Sequence, residues 1–205
     1  MKTKFCVLVS FLLALGLLSL MTGCGQEEQS VTAPLESMDL GEPDAPAFEE
    51  QAEKATAAQK AWWRGLSQAT RNQAIIERAW RDNGRYVGLN CKEWARVVVY
   101  DASRSVVNLP ATMPNASGWY FAPSPYLRSL SGIRAAFPGC VVQTNWKLAN
   151  GSITPHTLIV TSSGPSGIGV IECNWTPLTV TTRFISFTEF ERQALRYTCY
   201  YVIGG

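Results

Sequence analysis

Histidine is almost missing from this chain: among 205 residues the only one is His156. Any imidazole chemistry therefore runs through a single position, and metal sites built on paired histidines are excluded. No Cys-x-x-Cys pair occurs either, so no metal or cofactor is expected. Long apolar runs are lacking. The stretch from Phe5 to Leu20 is shorter than the ~20 residues that a membrane-spanning helix needs. Basic residues are absent from positions 25–53, where nine Asp and Glu residues stand with Pro34, Pro43 and Pro46. Such a segment cannot bury enough apolar surface to offset its ordering entropy, and it reads as an extended tether.

What is present begins with an export signal. Lys2 and Lys4 precede the apolar run, and Met21-Thr22-Gly23 ends it just before Cys24. Small residues ahead of a cysteine resemble the bacterial lipobox. The resemblance implies cleavage after residue 23, lipidation of Cys24, and a domain held by its lipid at the cell membrane or the outer membrane, facing the extracytoplasmic space. The expected organisation is a signal peptide at 1–23, a lipidated acidic tether at 24–53, and one domain at 54–205. That domain carries sixteen Lys and Arg against seven Asp and Glu, a net of +9. A basic domain on an acidic leash suits an anionic partner such as wall polymer or lipid headgroups. Export takes it away from nucleic acid, and a monomer is expected.

The domain reads as helices followed by strands. Thr56 to Trp63 and a segment capped by Ser67 or Thr70, running to about Asp82, carry helical patterns. Cys91, Trp94, Ala95, Val98 and Ala102 then recur at helical spacing, which places Cys91 in the first turn of a helix ending near Ser103. Unpaired backbone N–H groups and the positive end of the helix dipole favour a thiolate there. A short helix is expected from Leu127 to Phe137. Five strands follow: Cys140–Trp146, Thr157–Thr161, Ile168–Trp175, Leu178–Ile185 and Arg196–Ile203, with a helix capped by Thr188 before the last. Helices first and strands after indicate an α+β fold on an antiparallel sheet or half-barrel.

His156 opens the apolar strand in this reading, on one face with Leu158 and Val160. Alternation along Glu172-Cys173-Asn174-Trp175 puts Glu172 and Asn174 on one face and Cys173 on the other. Either polar residue is suited to accept the imidazole N–H and orient the ring, with Trp175 shielding that bond. Without such a partner strand, both would simply face solvent.

Four features in order carry a resemblance: a cysteine at a helix start, Pro138-Gly139 opening a strand, a histidine-led apolar strand, and Glu-x-Asn ending the next. Together they resemble the CHAP amidase/peptidase family and the related NlpC-type papain-like cell-wall peptidases. The resemblance implies a papain-like fold that cuts amide bonds in peptidoglycan peptides, as endopeptidase or amidase. It implies Cys91 as nucleophile, His156 as base, Glu172 or Asn174 as orienting residue, Asn90 near the oxyanion hole, and Tyr86 beside the site. The chain departs from the NlpC-type signature at Asn90 and Lys92, which flank the cysteine, and at Pro155 before the histidine. Cysteine use adds a constraint: with Cys91 free, one disulfide is expected among Cys140, Cys173 and Cys199. The rival readings are a non-catalytic wall-binding lipoprotein with two disulfides, and an acyl-transfer enzyme acting on another amide or ester.

Overall fold

A computed structural model describes residues 55–109, 121, 123–173 and 178–205. The signal peptide, Cys24, the tether, Asn174 and Trp175 lie outside these residues. Three helices lead: α1 (Ala57–Gly65), α2 (Gln68–Trp80) and α3 (Cys91–Ala102). Each starts where a polar side chain caps it. Thr56 and Gln59 form a reciprocal capping box on α1, Ser67 accepts from Thr70 N–H on α2, and Asn90 accepts from Glu93 N–H on α3.

Six strands follow: β1 (Leu127–Ser129), β2 (Val141–Lys147), β3 (Ile153–Ser163), β4 (Gly167–Cys173), β5 (Val180–Ser186) and β6 (Ala194–Val202). A fourth helix, α4 (Phe187–Gln193), lies between the last two. The strands form one sheet in the order β1-β6-β2-β3-β4-β5, with every pairing antiparallel. The fold is α+β, as the sequence indicates.

Alternation along the strands divides the core in two. On one face Val141, Ile159 and Ile171 pack with Trp63, Trp94, Ala95 and Val98 from the helices. On the other, Val142, Leu158, Val160 and Val170 pack with Phe187 and Phe190 of α4. Trp94 is fully buried, and its indole N–H donates to Asp82 at 3.0 Å. Truncating it to Ala would cost about 3–5 kcal/mol, the range for large aromatic side chains in cores.

Several elements differ from the sequence reading. The helix expected at Leu127–Phe137 is instead the short strand β1 followed by a single 3-10 turn at Ile133–Ala135. β1 exists because β6 offers it an edge, with Leu127 opposite Val202, and a three-residue strand has too little alternation to read. It makes the strand count six rather than five among the described residues. Ser186, not Thr188, caps α4, because β5 runs directly into the helix. β3 starts at Ile153, so His156 lies inside the strand rather than at its opening. Pro155 lies within β3, opposite Asn145 of β2.

The expected disulfide is not formed; none of Cys91, Cys140, Cys173 and Cys199 is bridged to another cysteine. Cys173 packs on the face covered by the helices, whereas Cys140 and Cys199 pack on the other. The sheet itself separates Cys173 from both. Cys199 sits opposite Val142 on β2, so Cys140 meets it only diagonally.

Candidate active site

The site is built from the start of α3 and the diagonal of three strands. The chain reaches α3 along a short extended stretch held to the segment before β5. Gly84 N–H donates to Val180 O, Val180 N–H to Arg85 O, and Val87 N–H to Leu178 O, at 2.8–2.9 Å. The Cys173 thiol donates to Leu89 O at 3.1 Å from the end of β4. Cys91 then opens the helix. Its N–H belongs to the first turn, where backbone donors have no intrahelical acceptor. Asn90 caps this turn, with its side-chain oxygen accepting from Glu93 N–H at 2.9 Å. That oxygen is engaged, which leaves only the Asn90 amide N–H groups to point elsewhere.

His156 on β3 and Glu172 on β4 share a face, and Glu172 lies opposite Leu158, two residues along from His156. Diagonal neighbours of this kind are within reach of long side chains. The imidazole Nε2 lies 2.9 Å from Glu172 Oε2, and a side-chain hydrogen bond joins the same ring to Cys91. With Nε2 on the carboxylate, Nδ1 is the nitrogen left for the sulfur. All three side chains are buried: Cys91 is 1% exposed, His156 4% and Glu172 0%.

Burial of a carboxylate without a partner is prohibitive. Glu172 has two partners. Its second oxygen accepts from Arg183 Nε at 2.6 Å, and Arg183 Nη2 approaches Oε2 at 3.4 Å. Burial works against ionising Glu172, but His156 and Arg183 outweigh it and hold the carboxyl below its ordinary range. Burial also works against charging His156. Its hydrogen bonds and charge contacts with Cys91 and Glu172 prevail, raising its pKa to about 9. A proton is therefore retained on the imidazole, which lies between Cys91 and the Glu172 carboxylate.

The structure brings Cys91, His156 and Glu172 together. Tyr86 is set differently: its backbone bridges to Thr179 and its ring is 70% exposed. Asn174 and Trp175 fall outside the described residues. Arg183 is the participant that sequence reasoning missed. It stands on β5 opposite Val170 of β4, diagonal to Glu172, a placement set by the pairing of the two strands. The only sequence signal was a lone arginine in the Thr-rich strand Val180–Ser186. Among the described residues, no group of three or more His, Cys, Asp and Glu is arranged to hold a metal ion.

No family model matches the chain, and no curated protein matches it. Similar solved structures are those of Ly7917. Its crystal structure with the hydrolysing product of MDP shares 12% identity at a TM-score of 0.48, over 62% of this chain and 62% of that one. A second crystal structure of Ly7917 shares 11% identity at a TM-score of 0.43, over 65% of this chain and 63% of that one. The chain thus spans less than two thirds of Ly7917.

Proposed function

We propose that the protein is a lipid-anchored cysteine hydrolase that cleaves amide bonds in peptidoglycan peptides. The observation that carries this reading is the hydrogen-bonded series Cys91–His156–Glu172 at a helix start. A thiol, an imidazole and a buried carboxylate in sequence are the parts of nucleophilic acyl transfer. The choice of peptidoglycan rests on the family resemblance of the motifs and on the export signal. The choice of anchor rests on Cys24, and the basic domain suits an anionic wall. That Cys91 is free of any disulfide favours the enzyme over the wall-binding alternative.

In the proposed reaction the Cys91 thiolate attacks the amide carbonyl carbon and forms a tetrahedral oxyanion. The Cys91 N–H, aimed outward from the first turn of α3, supplies one donor to that oxyanion. The C–N bond breaks as the His156 imidazolium gives its proton to the leaving amine. Water then attacks the thioester, with neutral His156 taking its proton, and the sulfur leaves as the thiolate. Glu172 keeps the ring in register and stabilises its charged form.

The test is mass spectrometry of purified wall and of defined muropeptides incubated with wild type, Cys91→Ala and His156→Ala. Wild type is expected to release fragments with a new carboxyl and a new amine, and both variants none. Release of the same fragments by Cys91→Ala would rule the mechanism out.

A further inference from the structure

We infer that Arg183 is a positioning residue: its guanidinium clamps the Glu172 carboxylate so that the other oxygen stays on His156. This rests on the reading of Cys91 and His156 as the reacting pair, and it extends that series by one residue onto a third strand.

The geometry is that of a guanidinium held on several sides. Nε and Nη2 address the two oxygens of Glu172 at 2.6 and 3.4 Å. The guanidinium lies over the Trp146 ring, 5.0 Å from its centroid, and Nη1 sits 3.5 Å from Glu189 of α4. Stacking on one side and a carboxylate on another restrict the plane of the guanidinium, and a planar fork transmits that restriction to the carboxylate it binds. Glu172 has no exposed surface with Arg183 in place, so the guanidinium covers the carboxylate as well as binding it. Arg183 itself is reachable. Its side chain is 27% exposed and lines a cavity of about 460 Å³ with Trp146, Lys147, Glu172 and Glu189. The imidazole would otherwise depend on a carboxylate free to turn about its last torsion, which is broad for glutamate.

The charged groups around Glu172 are His156 from β3 and Arg183 from β5. Cys91 stands beyond the first; Glu189 from α4 and Lys147 from the end of β2 stand around the second. Removing Arg183 takes away a cation that favours the ionised carboxyl. Glu172 then takes up a proton at higher pH, and a protonated Glu172 no longer supports the imidazolium.

The experiment uses the only imidazole in the chain as its own probe. In wild type, the Nε2 proton of His156 is expected as a downfield, slowly exchanging NMR signal. In Arg183→Ala the signal is expected to broaden away, and to return when guanidinium chloride is added below denaturing concentration but not with equal sodium chloride. On a defined muropeptide, kcat should fall ~10²-fold, the scale for small misplacements of catalytic groups, with KM unchanged and the acid limb of the pH–rate profile moved up. If the alanine variant does not fold, Arg183→Gln carries the same measurements. An unchanged imidazole signal, or a uniform loss of rate with an unmoved acid limb and no guanidinium rescue, would overturn the proposal. A wild-type chain that shows this imidazole behaviour and its guanidinium rescue but cuts no wall fragment would support the clamp and count against the peptidoglycan reading alone.

Discussion

Two regions of this fold hold buried thiols, and they differ in what surrounds the sulfur. Cys140 and Cys199 lie in the apolar cluster with Val142, Leu158, Val160 and Phe190. Burial pushes Cys140 up to about 11, against a weak pull from a backbone bond at Phe137. Burial, with a smaller contribution from Cys140, pushes Cys199 up to about 12. Such thiols are neutral and unreactive. Cys91 is as deeply buried, yet it meets an imidazole that meets a carboxylate that meets a guanidinium. Burial alone silences a thiol. His156 keeps its charge at the same depth, because the Glu172 carboxylate beside it, itself held ionised by His156 and Arg183, offsets the cost of burial.

The largest expected effect separates the two regions outright. Cys91→Ala should abolish turnover. Cys199→Ala should leave kcat within experimental error and lower stability by about 1 kcal/mol, the usual scale for a single core change. Activity assays and denaturant midpoints on both variants check this, and loss of turnover in Cys199→Ala would erase the contrast.

Next, Glu172→Gln keeps the shape of the hydrogen bond and removes the charge. The His156 pKa should drop from about 9, and the alkaline limb of kcat/KM should drop with it. Titration of the single imidazole by NMR gives the value directly. A wild-type titration in this variant would mean that Glu172 contributes no charge to the pair.

Stability against pH should show both regions in separate windows. His156 has a raised pKa when folded, so its contribution is complete below its ordinary value, about 6.5, and is lost as pH rises to about 9. Cys140 and Cys199 keep their protons when folded but ionise when unfolded, so they weaken the fold from about pH 9 upward. Melting temperatures across this range should fall in two stages. His156→Gln should flatten the first, and Cys140→Ala with Cys199→Ala the second.

The smallest effect concerns the helix that carries Cys91. Asn90→Ala removes the cap on Glu93 N–H and should cost about 1 kcal/mol, whereas Asn90→Asp keeps the cap and should cost little. Thermal unfolding of the two variants decides whether Asn90 acts mainly through the cap.

The helices, the order of elements and the alternation of β3 and β4 could be read from the sequence because they are local. Cys91 opens a helix, His156 shares a face with Leu158, and Glu172 and Cys173 face opposite ways, all from spacings of two, three and four residues. β1 could not be read, because three residues carry no period and its partner lies more than seventy positions away. The place of Pro155 inside β3 depends on its pairing with Asn145 of β2, ten positions back along the chain.

The sequence by itself determined which side chains could react, because a chain with one histidine has one imidazole to offer. Only the tertiary structure decided what surrounds them. The register of β3, β4 and β5 sets His156, Glu172 and Arg183 on one diagonal, and the sheet puts Cys173 on the opposite side from Cys140 and Cys199. Side-chain type is a local property. Which charges share a dry interior depends on pairings between distant segments, and those pairings are fixed only when the whole sheet closes over its core.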